Sequence, residues 1–212
     1  MKTGDLIRAL AADSEVHRMT PGRVLALALI PGIAIALALH FAVFGLRPHL
    51  LSLLGKPQLL FKLCLTALLV ALAGALLARI ARPGAGVRRA ALMLAIVPAL
   101  LAVANLAELF AVPAAEWGQR LVGTNAIFCV KSIPFLAAAP LVAALLALRQ
   151  GAPENPTLAG AAAGLFAGAI GAACYATHCS NDSPLFVAAW YSLAIGFTAA
   201  IGALAGSRLL RW

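Results

Sequence analysis

Charge is what this sequence has least of. Only 11% of its 212 residues are Asp, Glu, Lys or Arg, and just seven of them are acidic. A soluble domain of this length carries about a quarter charged residues, so a water-soluble fold is excluded. Four cysteines are present but no CxxC pair. That removes zinc-finger spacing and the short paired motif on which thiol catalysts usually rely. No nucleotide-binding glycine loop, no Ser-His-Asp arrangement and no internal duplication can be read. Polar length is short as well. Residues 1–23 and two connections of about a dozen residues leave little room for a soluble domain.

What is present is apolar length. Hydrophobic residues make up 63% of the chain, and the mean hydropathy is +0.99. The apolar residues fall into six blocks, about 24–45, 59–81, 90–112, 126–148, 157–177 and 185–207. Each is long enough to cross a bilayer, which takes about 20 residues per helix. Backbone groups in hydrocarbon must be satisfied within their own segment, and the alternation of a barrel strand is absent. The expected fold is therefore an all-α integral membrane protein, a bundle of six transmembrane helices. A polar segment, 1–23, precedes the transmembrane domain, 24–207, and a short tail, 208–212, follows it. The first block, over 20 residues long and preceded by that segment, does not resemble a cleavable signal peptide.

Orientation follows from Lys and Arg near the helix ends. Lys2, Arg8, Arg18, Arg23, Arg79, Arg82, Arg88, Arg89, Arg149, Arg208 and Arg211 fall on one side, eleven in all. Arg47, Lys56, Lys62 and Arg120 fall on the other, and Lys131 lies inside the fourth block. Both termini are therefore expected on the cytoplasmic side. The net charge of +9 then reflects this bias and anionic lipid, with no direct nucleic-acid partner.

With this topology all four cysteines, Cys64, Cys129, Cys174 and Cys179, belong to the outer leaflet or its edge. The stretch "CYATHCSND" at 174–182 is the densest polar cluster. His40, His49, Glu108 and Lys131 share its level. Cys174 and His178, four apart, share a helix face if the helix continues that far. Cys179 sits in what reads as a wet loop, beside Asp182. Cys174 and Cys179 are badly spaced for a disulfide in a continuous helix. Cys129 and Cys179 come from different helices at similar depth, so a bond between them would staple the fourth to the fifth. A Cys/His set such as Cys129, Cys179 and His178 is the alternative, as soft ligands for a transient thiophilic metal ion. No resident cofactor is expected.

The helices around this cluster carry small residues for close packing. Gly160, Gly164 and Gly168 form one stripe with Gly171 beside it, and Gly202 and Gly206 repeat the spacing. Packing within the bundle is the expected use of these stripes, a homodimer face the other. Pro31, Pro98, Pro134 and Pro140 should bend their helices. Trp190 and Tyr191 read as interfacial or bundle aromatics. At the N-terminus, Thr3 can cap a short amphipathic helix with Asp5 at its start and Leu6, Ile7 and Leu10 as its apolar stripe.

Several stretches together resemble a known family. They are "MKTGDLIRALAAD" at the start, "CVKSIP", "RQGAPENPTLAGAAAG", "YATHCSNDSPLFVAAWY" and the terminal "RLLRW". The pattern is similar to the NrsF-type family of bacterial membrane anti-sigma factors and covers nearly the whole chain. The resemblance implies a non-enzymatic protein that sequesters an extracytoplasmic-function sigma factor and releases it under heavy-metal or oxidative stress. It also implies two characteristic sensing cysteines, which by motif are Cys129 and Cys179. Cys64 and Cys174 match nothing in that pattern. Cys174, His178, Asp182 and Cys64 are then the candidates for additional thiol or metal-site residues, and Leu6, Ile7, Leu10 and Arg8 are the expected sigma-binding residues.

Two rival classes fit parts of the sequence. A membrane thiol oxidoreductase would pass electrons from the outer cysteines to a quinone, but the absent CxxC speaks against it. A small metal or drug transporter would need intramembrane charge, for which Glu108 and Lys131 are the main candidates.

Overall fold

The computed structural model describes residues 3–5, 7, 20–82, 84–151 and 153–211, and it is built of helices. In chain order they are α1 (Pro21–Phe44), the short α2 (Leu50–Leu53), α3 (Pro57–Ile80), α4 (Arg88–Ala111), the short α5 (Ala114–Val122), α6 (Ala126–Arg149), α7 (Pro156–Ala176) and α8 (Pro184–Leu209). Six of these are long and apolar enough to cross a membrane, as the six blocks require. Among the described residues no strand occurs.

Local chemistry sets the helix starts. α1, α3, α7 and α8 each begin on a proline, whose missing N–H costs nothing in a first turn. Asn155 caps α7 by accepting the Leu158 amide at 2.9 Å. α1 ends in a π turn, His40–Phe44, closed by Gly45 at φ 68°, a conformation that favours glycine. α4 breaks at Ala95, one turn before Pro98, whose ring cannot tolerate the preceding carbonyl. Pro31, Pro134 and Pro140 sit in helices that continue through them.

α7 is the centre of the bundle. Its apolar window is 72% buried, against 11% for α4, which lies on the outside. Small residues allow this. A Cβ at Gly160 would fall on the Gly202 carbonyl of α8, and one at Gly164 on the Thr198 carbonyl. On the opposite side Gly171 leaves no room between α7 and the Ile133 carbonyl of α6. The glycine stripes are therefore spent inside the bundle.

Both ends of the bundle are well marked. At one end Gly22 of α1 lies beside the Arg82 side chain, and Gly206 of α8 beside the Pro156 carbonyl. Gly84 there donates its amide to Glu154 at 3.0 Å. The opposite end holds Arg47, Glu108, Arg120, Cys129 and the 177–183 connection. One residue departs from expectation at that end. Lys62 is not a charge of the first connection; it is wholly buried in α3. Tyr191 is a bundle aromatic, fully buried, while Trp190 beside it donates its indole N–H to the Leu121 carbonyl at 2.8 Å.

Candidate functional site

The connection between α7 and α8 folds back into the bundle. The Thr177 hydroxyl donates to the Cys174 carbonyl at 2.8 Å, and the His178 and Cys179 amides both donate to the Tyr175 carbonyl, at 3.0 and 2.9 Å. This tight turn ends α7 and swings Cys179 inward. The wet-loop expectation is thereby corrected, because Cys179 is 0% exposed. Cys129, in the first turn of α6, is also 0% exposed. Both belong to one buried core cluster with Tyr175, Phe186 and Tyr191. The Tyr191 hydroxyl is buried without a hydrogen-bond partner; the Cys179 thiol lies nearby but out of hydrogen-bonding geometry. The two thiols therefore lie in the same buried, aromatic-rich part of the core.

The loop over these thiols is tied to four helices. From α3, Lys62 Nζ donates to the carbonyls of Cys179 at 2.8 Å and Asn181 at 3.2 Å, and meets Asp182 Oδ1 at 2.5 Å. Just past α1, Arg47 Nη1 meets Asp182 Oδ2 at 2.8 Å, and the Arg47 amide donates to the Thr177 carbonyl at 3.1 Å. From α4, Glu108 Oε2 accepts the Ser183 hydroxyl at 2.8 Å and the Leu185 amide at 3.1 Å, capping α8. Ahead of α6, Thr124 and Asn125 bond to Asn181 and Ser180. Gly123, at φ 59°, lets the chain pass beneath the Phe186 ring, where a Cβ would lie 2.6 Å from a ring carbon.

The two histidines are held in definite tautomers. The single proton of the Thr177 hydroxyl goes to the Cys174 carbonyl, so its oxygen must accept from His40 Nε2, 3.0 Å away. His40 Nδ1 is then a buried acceptor without a partner. His178 Nδ1 donates to the Gly45 carbonyl at 3.2 Å, because a carbonyl can only accept. His178 is thus fastened to α1 past the end of α7, not stacked on Cys174.

Of the residues singled out in the sequence, Cys129 and Cys179 are both wholly buried, and Cys174 is buried in the same core one turn deeper. Cys64 is exposed on the outer surface of α3, apart from them. Asp182 is occupied by Lys62 and Arg47. All four thiols are free, and among the described residues no group of three or more His, Cys, Asp or Glu side chains could hold a metal ion. Lys131 is exposed on α6 and Glu108 is spent on Arg120, Ser183 and Leu185. At the N-terminus Ile7 is exposed, while Leu6, Arg8 and Leu10 lie outside the described residues. Lys62 and Arg47 are the functional residues that sequence reading missed. The available signal was an ammonium placed five residues into an apolar helix, a position that demands a partner.

Comparison with known proteins decides the family. The family model for NrsF, negative regulator of sigma F, matches residues 10–212. The chain belongs to the NrsF family. It is 38% identical to the anti-sigma-F factor NrsF of Caulobacter vibrioides (strain NA1000 / CB15N), over the whole of both chains. It is 36% identical to the probable anti-sigma-F factor NrsF of Azospira oryzae, again over the whole of both. No solved structure gives a significant match. In this NrsF protein the two cysteines picked out by motif, Cys129 and Cys179, are buried in one core cluster that also holds Cys174.

Proposed function

We propose that this member of the NrsF family is a membrane anti-sigma factor. It holds an extracytoplasmic-function sigma factor at the cytoplasmic face of the bacterial inner membrane and releases it on a periplasmic thiol-linked signal, heavy metal or oxidative stress. The observation that carries the reading is the Cys129–Cys179 pair: two thiols from different parts of the chain, both wholly buried in one core cluster, under a loop tied to α1, α3, α4 and the start of α6. An external two-electron oxidant joins the sulfurs as a disulfide with loss of two protons. A thiophilic metal ion replaces the same two protons and bridges them. Either event fixes α6 to the 177–183 loop in one relative position. The loop is latched to the outer end of α1 through Arg47 and Gly45, and α1 leads directly to the N-terminal segment and its expected sigma-binding stripe. A signal of this kind shifts the balance between two arrangements only by its differential affinity for them.

The rival classes draw less support. A quinone-linked oxidoreductase needs thiols that exchange partners at a surface, and these two are enclosed. A coupled transporter needs free intramembrane charge, and Glu108 is committed to the α8 cap. The test is a Cys129→Ser, Cys179→Ser double replacement, followed by pull-down of the sigma factor from membranes with and without inducer. Membrane insertion should be unchanged and release on inducer lost. A normal response from the double mutant would make both residues mere packing.

A further inference from the structure

We propose that Lys62 is the positioning residue of the buried thiols: a tethered ammonium that keeps the 179–182 loop seated and so sets when the two sulfurs can be reached. Its use in signalling rests on the sensing reading above; its geometry does not. An ammonium has three N–H donors and nothing else to offer. Here it meets three oxygens, two loop carbonyls and one carboxylate, in a side chain that is wholly buried. The donor set is complete, with no N–H left for water. The Lys62 carbonyl is itself held by the Thr66 hydroxyl at 3.0 Å, so the backbone that carries the ammonium is braced.

Loop and helix are coupled by the cost of parting them. If the loop lifted while α3 stayed, the ammonium would be left in the interior with no counter-charge, the arrangement that buried pairs penalise most. Arg47 cannot take its place. Its guanidinium is partly exposed and touches none of these three oxygens; it bonds the other carboxylate oxygen of Asp182, Oδ2. The sulfur chemistry is one atom away. The Asn181 carbonyl accepts from Lys62 Nζ and also from the Cys179 thiol at 3.9 Å, so any reaction that removes the thiol proton changes the carbonyl that Lys62 holds. α3 then runs to the opposite end of the bundle, where Arg79 and Arg82 lie.

The experiment uses the full-length chain in lipid nanodiscs, with N-ethylmaleimide labelling at each cysteine followed by peptide mass spectrometry. Lys62→Ala should speed labelling of Cys179 about tenfold, the loss of one charged buried interaction. Ethylammonium, which brings N–H donors, should slow it again; tetramethylammonium, with the same charge and no donor, should not. Asp182→Asn, which keeps both carbonyl contacts, should give a smaller rise. If Lys62→Ala labels within about twofold of the parent, or if tetramethylammonium rescues equally, the assignment is overturned. Should Lys62→Ala fail to insert, an unchanged rate in Asp182→Asn overturns it as well. Labelling is read without any sigma factor, so a failure here is separate from a failure of the Cys129→Ser, Cys179→Ser test.

Discussion

Gly160 of α7 and Gly202 of α8 each lie against the other's carbonyl oxygen, so the two backbones meet with no side chain between them. In a bilayer this contact cannot come from the hydrophobic effect, because lipid tails are as apolar as leucine. It comes from close packing of backbone on backbone, and it seats α7 at the centre. The centre in turn fixes where Cys174, Thr177 and Cys179 fall.

Gly202→Leu should therefore force α7 and α8 apart. We expect a loss of about 1–3 kcal/mol, the usual cost of overpacking a filled site. Gly196, on the same helix, has nothing within 4 Å of its Cβ position, so Gly196→Ala should be neutral or slightly stabilising. Denaturation in mixed micelles compares the two. Equal stability of both variants would remove the close-packing argument.

Glu108→Gln should loosen α4 from α8. The carboxylate accepts from Arg120, Ser183 and the Leu185 amide at once, which a carboxamide with one oxygen cannot do. A cost of about 1–3 kcal/mol is expected, with faster amide exchange at the first turn of α8. Arg120→Gln should cost about 0–1 kcal/mol, since that side chain is largely solvated. Equal exchange rates in both variants would mean that Glu108 does not cap α8.

Much of this fold was legible in the chain. Pro21, Pro57, Pro156 and Pro184 open spans within three residues of the boundaries read from hydropathy, because apolar length and proline act locally. The Gly160 and Gly202 stripes were legible too, since small residues at helical spacing have few other uses in a membrane. The site was only half visible. Cys129 and Cys179 stood out by depth and by motif, but burial of Cys179 depends on the turn closed by Thr177 and Tyr175. Lys62 was counted as a loop charge, because no local rule reveals that Asp182, 120 residues away, lies against it. Long-range ion pairing is not written in periodicity.

Reporter fusions test orientation. With Lys62 counted inside α3, eleven basic residues on one side against three on the other predict the Arg79–Arg89 end in the cytoplasm and the thiol end outside. Fusions after Arg47 and after Pro184 should both read periplasmic. A cytoplasmic reading from either would turn the thiol end inward and remove the periplasmic signal.

The last prediction concerns the N-terminal stripe. Leu6 and Leu10 lie outside the described residues, but Thr3, Gly4, Asp5 and Ile7 are helical and Ile7 is exposed. A helix of about three turns is marginal in water, so its apolar stripe needs a surface to lie on. A sigma factor that accepts an amphipathic helix into a groove would supply one. A charge placed in that groove costs far more than one placed at a wet membrane surface. The Leu6→Asp, Leu10→Asp double mutant should therefore lose the sigma factor from membrane pull-downs while the protein stays inserted. Release must also occur without inducer and with Cys129 and Cys179 reduced, because the lesion lies downstream of the thiols. Undiminished co-purification would take this segment out of the interface and leave the basic Arg79–Arg89 connection as the remaining docking surface.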